Sequence, residues 1–225
     1  MKLVDVYLER GPKRTFAGAV EWPGWSRSGR DEATALEALL DSAPRYARAL
    51  KGTRLGFAAP KEVSELRVVE RLRGDATTDF GAPGKYPKLD GRPVADADLR
   101  RARTILRATW RAFDHAADRA RGKTLPKGPR GGGRDLDAIV RHCIEADAGY
   151  IGALGWKYRL EDGTTERQRE RTHEAMLEGL AASARGEIAA RGPRGGVRRK
   201  PRQIIRRSAW HWLDHAWEIE DRSRA

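Results

Sequence analysis

The spacing of apolar residues divides the chain into a strand-like first part and a helical second part. Residues 4–8 alternate between apolar and polar positions, which is typical of a half-buried strand. Further strands are predicted over 14–20 and 66–72. Between them, residues 31–50 place leucine and alanine at helical spacing, and Pro44 is expected to bend this helix. The predicted order of elements is β-β-α-β.

This first part is similar to the small HicB-like domain. The resemblance rests on Phe16–Val20, on the turn Trp22–Trp25 within a predicted loop, on Gly29, and on Glu32–Leu40 at the start of the helix. It covers residues 1–75. The resemblance implies a ferredoxin-like module of sheet and helix, of a kind often used for binding.

The second part of the chain is predicted to be helical from Asp96 onward. Apolar residues recur at helical spacing over four segments, at about 96–121, 135–156, 165–190 and 201–221. Thr165–Gln168 has the pattern of a capping box at the start of the third helix. Pro201 suits the first position of the fourth helix. Four helices of this length predict an up-down four-helix bundle.

The segment 76–95 between the two parts is rich in Gly, Pro and Asp, and it predicts an interdomain linker. The predicted fold class is therefore α+β, with a ferredoxin-like, HicB-like module at 1–75 and a four-helix bundle at 96–225.

The composition bounds the environment of the protein. A single cysteine, Cys143, excludes an intrachain disulfide and suits a reducing compartment. No stretch of apolar residues approaches the length of a membrane span, and the first residues carry charges without an apolar signal core. We therefore expect a cytoplasmic protein without a membrane partner.

Positive charge is in excess, with a formal net charge of +13. Such an excess favours a nucleic-acid or other anionic partner, or it reflects arginines that decorate helix faces throughout the chain. The densest basic run, 198–207, has no interleaved aromatic residues, so it does not favour a platform for stacking bases.

Histidines provide the candidate chemistry. His211 and His215 are spaced i and i+4, so they lie one turn apart on the same face of the fourth helix. His142 lies at a similar depth in the second helix, about seven residues in against about nine for His211. In a bundle these two helices run parallel, so three imidazoles converge and leave one position of a divalent ion open. His173 is expected at another height, on the order of 10 Å away, and His115 lies off the apolar stripe of its helix.

Charged residues near these histidines are candidates for further roles. Glu145 and Glu218 lie one turn beyond His142 and His215, so each is a candidate general base or hydrogen-bond partner, or an ordinary surface carboxylate. Arg130 and Arg194 occupy two Gly-Pro-Arg-Gly-Gly loops that precede the second and fourth helices. They are candidates to bind the carboxylate or phosphate of a substrate near the helix ends. The thiol of Cys143 is expected to be buried and inert.

The helical part resembles the DinB/YfiT-like family of metalloenzymes. The resemblance rests on Val140–Tyr150, which includes His142, and on the pair His211 and His215, and it covers about residues 96–221. It implies a bound divalent metal, commonly zinc or nickel, and relatives that include thiol-dependent transferases and isomerases. Relatives often continue with a further histidine and a glutamine, whereas Ala216 and Trp217 follow here, which leaves the reaction type open.

Three functions compete at this point. The first is a metal-dependent hydrolase or thiol transferase that activates water or a low-molecular-weight thiol and acts on a small anionic substrate. The second is a non-catalytic binding protein. The third is nucleic-acid binding through residues 198–207. The many tryptophans also leave a homodimer open.

Overall fold

A computed structural model of the chain describes residues 3–127 and 133–224, and these residues form a mixed α+β fold. The chain forms two compact units, Met1–Arg92 and Pro93–Ala225. Among the described residues there are four strands, β1 (Val4–Arg10), β2 (Thr15–Ala19), β3 (Ser26–Gly29) and β4 (Leu66–Arg73). The seven helices there are α1 (Glu32–Asp41), α2 (Ala43–Ala49), α3 (Ala76–Phe80), α4 (Asp96–Ala120), α5 (Leu136–Leu154), α6 (Thr165–Ala184) and α7 (Pro201–Arg222).

The first unit holds one mixed sheet with the strand order β3-β2-β1-β4. β2 pairs antiparallel with both β1 and β3, whereas β4 pairs parallel with β1. A parallel pair needs a crossover connection, which α1 and α2 supply. Gly, Pro and Ser predict a loop over 21–29, yet the last four of these residues form β3. The hydrophobic pattern misses this strand because it is short and polar.

The predicted helix over 31–50 is divided into two. A capping box begins α1, in which the Asp31 carboxylate accepts a hydrogen bond from the backbone N–H of Thr34 at 2.8 Å. The helix ends at Ser42, so Pro44 lies in the first turn of α2, where a missing N–H leaves no helical bond unmade. The expected bend is therefore a break followed by a new helix.

The segment 76–95, predicted as an interdomain linker, groups with the first unit as far as Arg92. Its order comes from Glu9 of β1, whose carboxylate is fully buried and accepts hydrogen bonds from the Thr78 hydroxyl and from the backbone N–H groups of Gly84 and Lys85. The side chain of Phe80 in this segment is 85% exposed. The buried carboxyl group of Glu9, which accepts three hydrogen bonds, therefore anchors the segment.

The second unit contains the four predicted long helices, with one difference in length. The third of them, α6, ends at Ala184 rather than near residue 190, and the chain beyond it forms an isolated bridge between Arg191 and Val197. Its N-cap is Thr164, one residue before the predicted capping box, and the Thr164 hydroxyl accepts from the N–H of Arg167.

Helix α7 is the centre of this unit and packs against α4, α5 and α6. Buried residues surround almost its whole circumference, including the charged or polar side chains of Arg206, His211, Asp214, His215 and Arg222. A helix that is surrounded by others keeps its polar groups inside the protein, where they need partners. Within the described ranges, no helix has the length and apolarity required to cross a membrane.

Candidate metal centre

The three predicted histidines lie together between α5 and α7. The Nε2 atoms of His142 and His211 are 3.2 Å apart, and the ring centroid of His215 lies 5.1 Å from that of His142 and 4.7 Å from that of His211. One nitrogen from each ring can be chosen so that all three lie within 4.8 Å of one another. The i, i+4 spacing on α7 and the matched depth on α5 therefore bring three imidazoles to one point.

The separation of the nitrogens fits a shared divalent ion. Two nitrogens that bind one tetrahedral zinc ion at 2.0–2.1 Å lie about 3.3 Å apart, close to the observed distance between His142 and His211. His211 and His215 are 6% and 9% exposed, whereas His142 is only half-buried. The cluster is thus enclosed on the α7 side and more open beside His142.

The protonation state of the cluster suits metal binding. Burial, with the charges of His215 and Arg134, lowers the pKa of His142 to about 4. Burial and the two neighbouring histidines hold the pKa of His211 well below its ordinary value. Because only the neutral imidazole offers a lone pair to a metal, protons compete little for these two ligands at neutral pH.

A carboxylate orients the third imidazole. Glu218 lies one turn beyond His215 on α7, and its Oε2 atom is 2.7 Å from Nδ1 of His215. Its other oxygen accepts a hydrogen bond of 2.8 Å from Arg222. Burial alone raises the pKa of Glu218, but His215 and Arg222 outweigh it and hold that pKa below its ordinary value. An ionised Glu218 keeps the proton of His215 on Nδ1 and leaves Nε2 free to bind, as in carboxylate–histidine–zinc arrangements.

A second polar cluster next to the histidines escaped the sequence analysis. Asp147 of α5 is fully buried, and its Oδ2 atom accepts hydrogen bonds from the Ser208 hydroxyl at 3.0 Å and from Nε1 of Trp212 at 2.7 Å. Ser208 and Trp212 flank His211 on α7, so Asp147 links the two helices that carry the histidines. Its Oδ1 atom and Nδ1 of His211 are buried without a hydrogen-bond partner among the described residues. Burial raises the pKa of Asp147 to about 7.

The other predicted site residues lie elsewhere. Glu145 is exposed on α5, and within the part of the chain that the structure describes no hydrogen bond or ion pair joins it to the histidines. Arg194 lies at the exposed tip of the turn between Arg191 and Val197, likewise without such a contact. Arg130 lies outside the described residues.

The cations that the structure does bring near the cluster are Arg134, which precedes α5, and Arg207 of α7. Both act on the pKa of His211, after the larger effects of burial and the other histidines. Nε of Arg207 donates to the Tyr150 hydroxyl at 3.1 Å, and the Tyr150 ring lies 6.1 Å from that of His211. The repeated glycine-rich loops pointed to Arg130 and Arg194. Arg134 and Arg207 belong to no such motif, and only the folded structure shows that they lie near the histidines.

The remaining histidines are separate from the centre. His173 is stacked on Trp110 at 3.8 Å and meets the edge of Trp212, and burial lowers its pKa to about 3. His115 is exposed on α4. Cys143 is buried, and burial raises the pKa of its thiol, so a neutral, unreactive thiol is expected there.

The chain matches no model of a known protein family, no curated protein and no solved structure. The assignment of a function therefore depends on the geometry of the site.

Proposed function

We propose that this protein is a metal-dependent enzyme in which His142, His211 and His215 hold a divalent ion, most suitably zinc or nickel. The observation that carries the proposal is the approach of three imidazoles, two of them with Nε2 atoms 3.2 Å apart. Such an ion, when bound with an open position, lowers the pKa of water or of a small thiol and so creates a nucleophile at neutral pH. The class of reaction is hydrolysis or thiol-dependent transfer or isomerisation.

The resemblance noted in the sequence supports the same proposal. In this view the second unit is a DinB-like four-helix bundle, and the first is a HicB-like module with a ferredoxin-like arrangement. Glu218 orients His215, because its carboxylate lies within hydrogen-bond distance of Nδ1. We assign this supporting role to Glu218 rather than to Glu145, which faces solvent.

A small anionic substrate suits the charges around the centre. The charges of Arg134 and Arg207 act on His211, and Arg207 donates a hydrogen bond to the hydroxyl of Tyr150, whose ring lies 6.1 Å from that of His211. Guanidinium groups bind carboxylates and phosphates through paired hydrogen bonds. In this proposal Arg134 and Arg207, rather than the exposed Arg194, recognise the anion.

Metal analysis of protein purified without a histidine tag tests the proposal. Wild type should carry close to one zinc or nickel ion per chain under metal-replete conditions, and the double variant His211→Ala/His215→Ala should carry none. His115→Ala is the matched control and should retain the metal, because His115 is exposed and outside the cluster. A wild-type protein that stays empty when metal is plentiful contradicts the proposal.

One observation favours non-catalytic binding as a second candidate function, located in the first unit. A surface cavity of about 920 Å³ there is lined by the guanidinium-bearing residues Arg10, Arg71 and Arg73, together with Asp75 and Asp79. Arg10 and Arg71 pair with Glu32, so the exposed Arg73 is the guanidinium that we expect to bind an anionic ligand there. Loss of phosphate or acidic-peptide binding in Arg73→Gln, with metal content unchanged, would identify this separate function.

The basic segment 198–207 is used largely inside its own unit. Arg202 pairs with Asp98, the Arg198 guanidinium donates to the carbonyl of Ala189, and Arg206 is only 6% exposed. Phosphate contacts require exposed cations. Nucleic-acid binding through this segment is therefore not the function we propose.

A further inference from the structure

Arg222, at the end of α7, uses every nitrogen of its guanidinium group and is only 4% exposed. Its Nη1 atom donates to Glu218 at 2.8 Å, and Nε donates to the carbonyl of Pro126 at 2.7 Å. Nη2 donates to the carbonyls of Leu125 at 3.2 Å and Arg134 at 2.9 Å. One buried cation therefore joins a carboxylate to three backbone carbonyls.

These partners belong to separate parts of the chain. Leu125 and Pro126 follow the end of α4, whereas Arg134 immediately precedes Asp135, the N-cap of α5. Glu218 in turn contacts the imidazole of His215 at 2.7 Å. A continuous series of side-chain contacts thus leads from a predicted metal ligand, through one carboxylate and one guanidinium, to the backbone beside α4 and α5.

We propose that Arg222 is a positioning residue of the metal centre, which couples occupancy of the three-histidine site to the order of the backbone at Leu125, Pro126 and Arg134. This inference rests on the proposed function. Glu218 can orient His215 only while its own carboxylate is held, and Arg222 holds it. The same guanidinium also donates a hydrogen bond to the backbone carbonyl of Arg134. Arg222 therefore positions both His215, through Glu218, and Arg134, the candidate substrate-binding residue.

The planar fork of arginine is required for this arrangement. Five N–H groups in fixed directions can bond one carboxylate and three carbonyls at once, whereas the ammonium of lysine has only three donors at a single nitrogen. Coupling between two sites is reciprocal in binding free energy. If an ordered backbone at Leu125, Pro126 and Arg134 raises the affinity for the metal, then binding of the metal must increase the order of that backbone.

The experiment combines zinc affinity with tryptic cleavage in wild type, Arg222→Gln and Arg222→Lys. Zinc affinity is measured by competition with a chromogenic chelator, and cleavage is followed after Lys123 and Lys127, which are exposed and flank Leu125 and Pro126. In wild type, added Zn²⁺ should slow cleavage at both lysines, although neither lies at the histidines. Arg222→Gln should bind Zn²⁺ about tenfold more weakly, and Zn²⁺ should no longer slow this cleavage. Arg222→Lys should resemble Arg222→Gln.

Arg202→Gln is the matched control. Arg202 is another guanidinium of α7 that joins a carboxylate, Asp98, to a backbone carbonyl, Pro93, but it lies at the opposite end of the helix. This variant should keep both the wild-type zinc affinity and the effect of Zn²⁺ on cleavage. In Glu218→Gln, Arg222 is intact but its link to His215 is altered. Zn²⁺ should therefore no longer slow cleavage at Lys123 and Lys127 in this variant.

The outcomes separate this inference from the proposed function. If the wild type binds Zn²⁺ and Arg222→Gln has the same zinc affinity and the same cleavage behaviour, the proposed coupling is wrong. The proposed metal centre is not contradicted by that result. A wild type that binds no Zn²⁺ overturns both. If Arg222→Gln does not fold, as judged by circular dichroism, Arg222→Lys decides the question by the same two measurements.

Discussion

Each of the two units contains a fully buried carboxylate, and the two carboxylates differ in how completely they are paired. Glu9 in the first unit accepts hydrogen bonds on both oxygens from Thr78, Gly84 and Lys85. Asp147 in the second unit accepts two hydrogen bonds on one oxygen, and its other oxygen is buried without a partner among the described residues. Complete pairing is what a structural role requires, because a buried polar group without a partner costs free energy.

We interpret the difference as one between a structural cluster and the cluster of the proposed metal centre. Glu9 closes the first unit by ordering the segment that follows β4. The region around Asp147 contains three imidazoles whose nitrogens point at one another, and Nδ1 of His211 lacks a partner. Converging imidazole nitrogens are typical of a site that binds a ligand, here the proposed divalent ion. Four predictions test this contrast, beginning with the largest expected effect.

The first prediction concerns Asp147→Asn and pH. The pKa of Asp147 in the folded protein, about 7, exceeds its ordinary value of 3.8, so the folded state binds a proton that the unfolded state lacks between these limits. This proton stabilises the wild type fully below about pH 4, and its contribution is lost as pH rises through 7. Asp147→Asn should therefore gain stability relative to wild type, by up to about 4 kcal/mol, between pH 4 and 8.

Urea denaturation at several pH values measures this difference. Asp137→Asn, on the exposed first turn of α5, is the control and should track the wild type at every pH. A constant difference between Asp147→Asn and wild type across this pH range contradicts the prediction.

The second prediction concerns Glu9→Ala in the fully paired cluster. Removal of the carboxylate leaves the Thr78 hydroxyl and two backbone N–H groups buried without an acceptor, so the free energy of unfolding should fall by about 3 kcal/mol. Chemical denaturation checks this value. Exposed Glu37→Ala should change it by less than about 0.5 kcal/mol, and a similarly small change in Glu9→Ala would show that the cluster is not structural.

The third prediction concerns metal-dependent stability. Zn²⁺ at about 100 times its dissociation constant should raise the free energy of unfolding of wild type by about 2.7 kcal/mol, because the ion binds only the folded centre. The increase should vanish in His211→Ala/His215→Ala and persist in His115→Ala. Thermal unfolding with and without Zn²⁺ measures it, and an equal increase in the double variant would place the ion elsewhere.

The fourth prediction compares two glutamates that the sequence treats alike. Glu218→Gln should weaken zinc binding by about tenfold, since Glu218 orients His215, whereas Glu145→Gln should leave the affinity unchanged. Chelator competition gives both constants. Equal effects of the two substitutions would contradict the roles assigned to them.

Much of the architecture was predictable because it depends on short-range periodicity. The four long helices and the position of His211 and His215 on one helical face follow from spacings of a few residues, whereas at Pro44 a bend was predicted and the structure has two separate helices. His142 could be added because helix rise is constant, so similar depth in two parallel helices means similar height. Predictions that depended on composition were less successful. The polar strand β3 was missed, and the Gly- and Pro-rich segment after residue 75 proved to be anchored by Glu9.

By itself, therefore, the sequence determined which segments are helical and that two histidines share one helical face. Only the tertiary structure decided which distant groups meet: His211 with His142 across 69 residues, Trp212 with Asp147 across 65, and Arg222 with Pro126 across 96. The reason is that periodicity reports which face of an element is buried, whereas a hydrogen bond between elements depends on their relative rotation and height. That geometry brings the carboxylate of Glu218, and not that of Glu145, within hydrogen-bond distance of a histidine, and it pairs Glu218 with Arg222.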